Sequence, residues 1–183
     1  MKKLYLVVAI TFSLLVQTGF SKTIGLHKDG RSIIPDGLIK TLNDAGWETV
    51  ILSDADIAKE EKLADLDMLF FTGGWNAYFF PKFEARREII KFAASGKGVL
   101  LTGFRSGYSR TANRSMFPQV GATHNRGNAS FVTGVGDSPM AKALSVPVTL
   151  GGWDHMTLEI GPQGKVFAEC AGDPIGAYGE VYG

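Results

Sequence analysis

Short, continuous apolar runs alternate with longer amphipathic stretches through the first half of the chain. A short run that is apolar on both faces is typical of a buried strand, and apolar residues three and four positions apart indicate a helix. The predicted strands are Thr23–Leu26, Thr49–Leu52, Met68–Phe71 and Val99–Leu101, and the predicted helices are Pro35–Ala45, Ala55–Leu63 and Phe83–Ala94. Strands of this kind, each followed by a helix, predict a doubly wound parallel sheet covered by helices on both faces.

The last of these helices has the clearest amphipathic pattern. We expect five of its side chains to face the core: Phe83, Ile89, Ile90, Phe92 and Ala93. In open parallel sheets, ligands bind beyond the carboxyl ends of the strands. The sequence therefore directs the search for a site to the segments 26–30, 52–54, 72–76 and 102–108.

The pattern changes beyond Ser115, where the chain is rich in Gly, Thr and Val and favours strands over helices. The strands predicted here are Phe131–Val135, Val146–Leu150, Met156–Ile160 and Lys165–Cys170. A short helix is expected over Met140–Leu144, with Asp137 or Ser138 as its N-cap and Pro139 at its first position. The final segment, Gly179–Gly183, has the pattern of a strand interrupted within a hairpin, so we expect the domain to be truncated at its C-terminus.

The N-terminal segment has the pattern of a secretory signal peptide. Lys2 and Lys3 precede the apolar stretch Leu4–Val16, and Gly19-Phe20-Ser21 forms a small-x-small cleavage pattern before Lys22. The apolar stretch is shorter than the roughly 20 residues that a spanning helix needs. The sequence thus predicts a signal peptide over residues 1–21, a secreted or periplasmic protein, and no membrane attachment after cleavage. The alternative is a buried N-terminal strand or helix.

Composition and charge exclude several classes of protein. The 183 residues carry a formal net charge of +1, which does not fit a nucleic-acid-binding surface. The one cysteine, Cys170, leaves no disulfide framework and no paired-cysteine zinc or redox site, and it lies on a predicted core strand. The 23 glycines indicate many tight turns or close backbone approaches, as in α/β folds.

The segment Met68–Tyr108 carries a resemblance to a known family. A buried strand ends in Gly73-Gly74, a helix follows, and a second strand ends in Gly103-Phe104-Arg105-Ser106-Gly107-Tyr108. This arrangement resembles the class I glutamine amidotransferase-like superfamily, in particular its trehalose-utilisation-like (ThuA-like) branch. The resemblance implies one domain over 22–183, with a three-layer, mostly parallel flavodoxin-like sheet and a more β-rich C-terminal part.

In that superfamily the second strand ends in a nucleophile elbow, a sharp turn in which small residues flank a cysteine. Gly103 and Gly107 match the flanking positions, Gly73 matches a loop that donates a backbone amide to the oxyanion, and Arg105 stands where the cysteine would be. A guanidinium cannot attack an acyl carbon, and Ser106 is one position away from the nucleophile. The resemblance therefore implies a catalytically degenerate domain without catalytic residues.

Arg105 would instead lie at a helix N-terminus, where a guanidinium and free amides favour an anion. We expect a pocket for a small polar, anionic or sugar-like ligand at the carboxyl edge of the sheet. Its expected residues are Gly73, Gly74, Trp75, Arg105, Ser106, Gly107, Tyr108 and His155, the last by similarity of Trp153-Asp154-His155 to a family strand. The alternatives are that Arg105 pairs with Asp54 or Asp154, and that the aromatic residues after Gly74 cap the core.

Three functions remain open at this point. The first is the degenerate ligand-binding domain; the second is a hydrolase or carbohydrate-processing enzyme that uses residues outside the elbow; the third is a structural module of a larger secreted protein. No cofactor is expected. The loops bearing His27, Asp29, Asp54 and His155 could converge on a metal, but no ligand spacing supports this. The resemblance also implies a homodimer.

Overall fold

The computed structural model describes residues 22–28, 33–72, 83–102, 115–128, 131–149 and 154–181. These residues form two compact units, the first holding those between 22 and 102 and the second those between 115 and 180. The prediction of one domain over 22–183 stays a prediction.

A four-stranded parallel sheet forms the centre of the first unit. Its strands are β1 (Lys22–His27), β2 (Trp47–Leu52), β3 (Met68–Phe71) and β4 (Gly98–Leu101), in the spatial order β2-β1-β3-β4. All three strand pairs are parallel. The chain first moves outward from β1 to β2 and then returns past β1 to β3 and β4, which is the order that begins the flavodoxin-like sheet. The predicted α/β class and doubly wound sheet are confirmed.

Within the described residues, four helices lie in the connections between these strands. They are α1 (Leu38–Asp44), α2 (Asp54–Ile57), α3 (Glu60–Leu63) and α4 (Phe83–Ala94). Right-handed crossovers place α1 on one face of the sheet and the other three helices on the opposite face. Contacts between α2 and α4 agree with this arrangement. Among the described residues, no helix has both the length and the apolar character needed to traverse a bilayer.

The central strand β1 is buried on both faces. Ile24 and Leu26 have no exposed surface, and between them Gly25 faces the side of α2 and α3. A Cβ at Gly25 would lie 2.7 Å from Cδ1 of Leu52 and 2.9 Å from Cδ1 of Leu66. The absence of a side chain at this position is what lets the connection after β2 pack so closely on the sheet.

The second unit is built mainly from antiparallel strands. One sheet has the order β10-β9-β6-β7, and a separate pair joins β5 to β8. The strands are β5 (Gly121–Asn128), β6 (Phe131–Gly134), β7 (Val148–Thr149), β8 (Asp154–Ile160), β9 (Lys165–Cys170) and β10 (Asp173–Tyr178). A short helix, α5 (Pro139–Ala143), begins after Ser138, whose hydroxyl accepts a hydrogen bond from the Ala141 amide at 3.1 Å. The β-rich C-terminal part, the Ser138 cap and the buried Cys170 are confirmed.

Several detailed predictions were wrong. The single helix predicted over Ala55–Leu63 is two short helices, and Gly179–Val181 does not form a strand. In α4 the exposed fractions of Phe83 and Ile90 are 76% and 44%, although both were expected in the core. The face of α4 that packs inward consists of Ala85, Glu88, Ile89 and Phe92.

Glu88 explains why the inward face of α4 was misassigned. This carboxylate is buried, and it accepts hydrogen bonds from Lys91 Nζ and Arg87 Nε, each at 3.0 Å. The hydrogen bond from Lys91 is the largest cause that holds the pKa of Glu88 below its usual range. A charged residue thus occupies a position on the buried stripe, and Phe83 and Ile90 are rotated away from it.

Candidate functional site

The site is defined by the ends of the parallel strands of the first unit. Because β1 connects outward to β2 while the later strands lie on its other side, the topological switch point falls between β1 and β3. The residues at this edge are His27 at the end of β1, Asp54 just after β2, Thr72 just after β3 and Thr102 just after β4.

His27 and Asp54 form a buried hydrogen-bonded pair. The distance from His27 Nε2 to Asp54 Oδ1 is 2.8 Å, and the exposed fractions of the two residues are 1% and 7%. A carboxylate can only accept a hydrogen bond, so the shared proton lies on Nε2. The ring of His27 also lies 5.0 Å from the ring of Phe71, measured between centroids. The pair therefore ties the end of β1 to the segment after β2 and to the end of β3.

Strand register and a helix cap bring Asp54 to this position. His27 pairs with Leu52 across the two parallel strands, and the Lys28 amide donates to the Leu52 carbonyl at 2.8 Å. Ser53 then caps α2: its Oγ accepts from the Asp56 amide at 3.2 Å, and Asp56 Oδ2 accepts from the Ser53 amide at 3.0 Å. This capping box fixes the first turn of α2, so that Asp54, its first residue, reaches His27.

The same cap changes the acidity of Asp56. The hydrogen bond from the Ser53 side chain, followed by that from the Ser53 backbone, lowers the pKa of the Asp56 carboxyl below its ordinary value of 3.8. Both bonds favour the ionised form, which is a better acceptor than the neutral acid. The cap is therefore strongest where Asp56 is charged.

A threonine follows each of the neighbouring strands β3 and β4. Phe71 pairs with Leu101, so Thr72 and Thr102 are the next residues on neighbouring strands. Thr102 donates to the Phe71 carbonyl from its amide at 3.1 Å and from its hydroxyl at 3.3 Å. Thr72 is 2% exposed, and its Oγ1 has no hydrogen-bond partner within the described part of the chain.

The arrangement supports positioning more directly than proton transfer. A histidine hydrogen-bonded to a carboxylate is the usual orienting pair of an acid–base site, but a catalytic imidazole must also reach the substrate. His27 is almost completely buried and its Nε2 is used by Asp54. The pair is suited to holding the strand ends in place.

Most of the sequence-predicted site cannot be compared with this geometry. Seven of the predicted site residues lie outside the described part of the chain: Gly73, Gly74, Trp75, Arg105, Ser106, Gly107 and Tyr108. The backbone of His155 is in β8, where it pairs with Gly127, and its side chain also lies outside the described part. The proposed pairing of Arg105 with Asp54 or Asp154 therefore stays a prediction.

For the suggested metal site, the structure brings His27 and Asp54 together, while Asp29 lies outside the described residues. The residues that can be searched contain no group of three or more potential metal ligands from His, Cys, Asp and Glu.

Sequence reasoning anticipated the convergence of the loops bearing His27 and Asp54, but missed the direct pair and the buried Thr72 hydroxyl. A signal for the pair was present. His27 follows directly after the first predicted strand, and the spacing of Ser53 and Asp56 is that of a capping box with Asp54 at its first helical position. No comparable signal marks Thr72.

Comparison with known proteins shows the fold. No protein-family model matches the sequence, and no curated protein matches it. Among solved structures, the chain is similar to a protein assigned as a GMP synthase subunit from Thermoplasma acidophilum, with a TM-score of 0.62, 15% identity, and coverage of 90% of this chain and 81% of that one.

Two further structures match at similar levels. The cytoplasmic protein STM1381 from Salmonella typhimurium LT2 has a TM-score of 0.61 and 13% identity, with coverage of 88% of this chain and 84% of that one. The N-terminal domain of mmIFT52 has a TM-score of 0.60 and 15% identity, with coverage of 84% and 77%. At such identities the likeness establishes the α/β fold and neither a family nor a particular function.

The buried pair leads to a first prediction. Asp54→Ala should lower the free energy of unfolding at neutral pH by about 1–3 kcal/mol, because it leaves the buried Nε2–H of His27 without its acceptor. Asp54→Asn keeps an acceptor oxygen, so its free energy of unfolding should fall by less than that of Asp54→Ala. The control is Asp44→Ala, which breaks the exposed 2.6 Å pair with Lys40 and should stay within about 0.5 kcal/mol of the wild type. Equal losses for Asp54→Ala and Asp44→Ala in urea unfolding would contradict this role.

The capping box leads to a second prediction, on pH. The folded-state pKa of Asp56 is lowered, so its ionised form stabilises the protein above the unfolded value near 3.8, and that contribution disappears as the pH falls through the lower folded value. Asp56→Ala should therefore reduce stability at pH 7, by less than about 1 kcal/mol at this partly exposed site, and the difference should shrink toward pH 3. Ser53→Ala should show the same trend. If the difference in stability between the wild type and Asp56→Ala were constant from pH 7 to pH 3, this role of the Asp56 carboxylate would be contradicted.

Proposed function

We propose that the chain is an exported, catalytically degenerate class I glutamine amidotransferase-like domain of the ThuA-like kind. It binds a small polar, anionic or sugar-like ligand at the carboxyl edge of the parallel sheet of the first unit. The observation that carries the proposal is the construction of this edge: His27 is hydrogen-bonded to Asp54 after β2 and its ring contacts Phe71 at the end of β3, which lies across the switch point where such sheets bind ligands.

The degeneracy rests on Arg105. In the elbow sequence Gly103-Phe104-Arg105-Ser106-Gly107, the guanidinium occupies the nucleophile position and cannot form an acyl intermediate. It can instead donate two parallel hydrogen bonds to a carboxylate or phosphate. Trp75, which follows Gly74 directly, would offer a flat apolar ring to the C–H face of a sugar.

Export and assembly are further parts of the proposal. The basic and apolar pattern before Lys22 supports cleavage of a signal peptide and a secreted or periplasmic location. The homodimer rests on the superfamily resemblance alone. Neither nucleic acid nor a cofactor is part of the proposed function.

The second candidate is an enzyme, a hydrolase or carbohydrate-processing protein that uses residues outside the elbow. The hydrogen bond between an imidazole and a carboxylate is the observation in its favour, since the same pairing orients general bases. The 1% exposure of His27 argues for the binding domain. Turnover of an acyl or glycosyl substrate that is abolished by changing His155 would favour the enzyme.

A third prediction tests the proposed function by thermal shift with glucose, glucuronate and inorganic phosphate as probes. At about one hundred times Kd, a ligand of the native state stabilises it by about 2.7 kcal/mol. Arg105→Ala should weaken binding of the anionic probes at least about tenfold, as expected for the loss of a charge-assisted hydrogen bond. Lys142→Ala, which removes an exposed cation from α5, should leave the shifts unchanged. Shifts with glucuronate and phosphate that survive in Arg105→Ala would exclude the anion pocket.

A further inference from the structure

Strand β2 is an outer strand of the parallel sheet, among the strands that the structure describes. The Lys28 amide donates to the Leu52 carbonyl, so the backbone groups of Leu52 point toward β1. Because these groups alternate in direction along a strand, those of Thr49 and Ile51 point away from the sheet. Within the described residues, neither Thr49 nor Ile51 makes a backbone hydrogen bond on that outer side.

This edge does not have the usual protection against a further strand. Edge strands that remain unpaired commonly carry proline, a bulge or several charges. β2 pairs with β1 in continuous register over its six residues, which contain no proline. Glu48 is its one charged residue, and three β-branched residues follow in a row, a composition that favours strand pairing. The edge is therefore suited to receive another strand.

The side chains along this edge form an apolar projection at one end and a depression at the other. The Thr49 hydroxyl donates to Asn43 Oδ1 at 3.2 Å, so Thr49 and the residues two positions away lie on the face that α1 covers. Toward the end of β2, the exposed fraction of Ile51 is 44%. At its start, Trp47, Thr49 and Asn43 are among the residues that line an open depression of about 480 Å³.

A two-fold axis at Thr49 would bring the projection and the depression together. In an antiparallel pair of β2 strands centred there, Thr49 faces its own copy, and Ile51 of each subunit faces Trp47 of the other. This register pairs residues whose backbone groups point outward, as the hydrogen-bonded positions of an antiparallel ladder require. Threonine pairs and aromatic–β-branched pairs stabilise such ladders. Glu48 faces Val50, so no like charges oppose each other.

The helix beside the edge fits the same arrangement. α1 packs against β2, and Ile39, one turn before Asn43, lies on the side of α1 that faces the edge. Because strands in a sheet are about 4.8 Å apart, two copies of α1 on the joined sheet would lie about 10 Å apart, which is the spacing of packed helices. The exposed fraction of Ile39 is 37%, and the second helix would cover it.

We propose that β2 is the interface through which two copies of this chain form a symmetric dimer, with their parallel sheets joined into one continuous sheet. A second copy is the partner that fits, because one two-fold axis brings the outward backbone groups and the Ile51 projection onto their own complements. The inference rests on the homodimer of the proposed function, to which it gives an interface, and it does not depend on the ligand pocket.

The first experiment measures the dimer Kd by sedimentation for the wild type and three variants. The wild type should be a dimer that dissociates on dilution. Ile51→Lys places a charge on the projection and should raise the Kd at least about tenfold. Thr49→Pro removes an outward N–H that β1 does not use, so it should raise the Kd similarly and keep the fold. The matched control is Ile90→Lys on α4: Ile90 is also 44% exposed but lies on the opposite face of the sheet, and the Kd should stay within about twofold.

The second experiment follows amide hydrogen exchange by NMR, which identifies the edge itself. In the wild-type dimer, the amides of Thr49 and Ile51 should exchange as slowly as those of Val50 and Leu52, which bond to β1. In the Ile51→Lys variant, the Val50 amide should remain protected while the Thr49 amide exchanges fast.

Two sets of results would overturn the inference. A wild type that is monomeric at every soluble concentration would remove both the interface and the proposed homodimer, and would leave the ligand pocket to its own test. A dimer whose Kd is unchanged by Ile51→Lys, and whose Thr49 amide exchanges fast, would have its interface elsewhere, so the inference would fail while the homodimer stands. If Thr49→Pro does not fold, Ile51→Lys and the Thr49 amide decide the question.

Discussion

The buried hydrogen bond between His27 and Asp54 fixes the edge of the parallel sheet to which the proposed function is assigned. It joins the end of the central strand β1 to the first turn after β2, and the ring contact with Phe71 brings in the end of β3. The hydrogen bond and the ring contact together link three strand ends at one edge of the sheet. Removing either partner takes this hydrogen bond from a buried polar atom, so the geometry of the edge and the stability of the first unit are linked.

The sequence predicted the elements that have a continuous apolar run or a strong hydrophobic period better than those that have neither. Three elements have the predicted bounds: Met68–Phe71, Phe83–Ala94 and Lys165–Cys170. A continuous apolar run or a strong 3.6-residue period leaves few alternative assignments of secondary structure. The strand Gly121–Asn128 was missed, since its polar and glycine-rich sequence has no strand pattern and its pairing with β8 is a tertiary effect. The inward face of α4 was misassigned because a buried, paired Glu88 reads as a solvent-facing residue.

The candidate site was predictable in position and not in detail. The rule that ligands bind at the carboxyl ends of parallel strands points to the edge where His27, Asp54 and Thr72 lie. The pairing of His27 with Asp54 depends on the register of β1 against β2 and on the Ser53 cap, and the unsatisfied state of Thr72 depends on where the Phe71 carbonyl is used. Of these features, only the Ser53 cap has a signal in the local sequence. Similarity to solved structures at 13–15% identity adds the fold, so the functional argument rests on the residues of the edge.

The most direct measurement of the central claim is the exchange of the imidazole N–H proton of His27, followed by NMR in the native protein at neutral pH. A proton on Nε2 that is buried and shared with the Asp54 carboxylate should exchange slowly with water and show contacts to the ring protons of Phe71. Its slow exchange would mean that the edge is closed around this pair, as described. An imidazole proton of His27 that exchanges as fast as that of a solvent-exposed histidine would contradict the account.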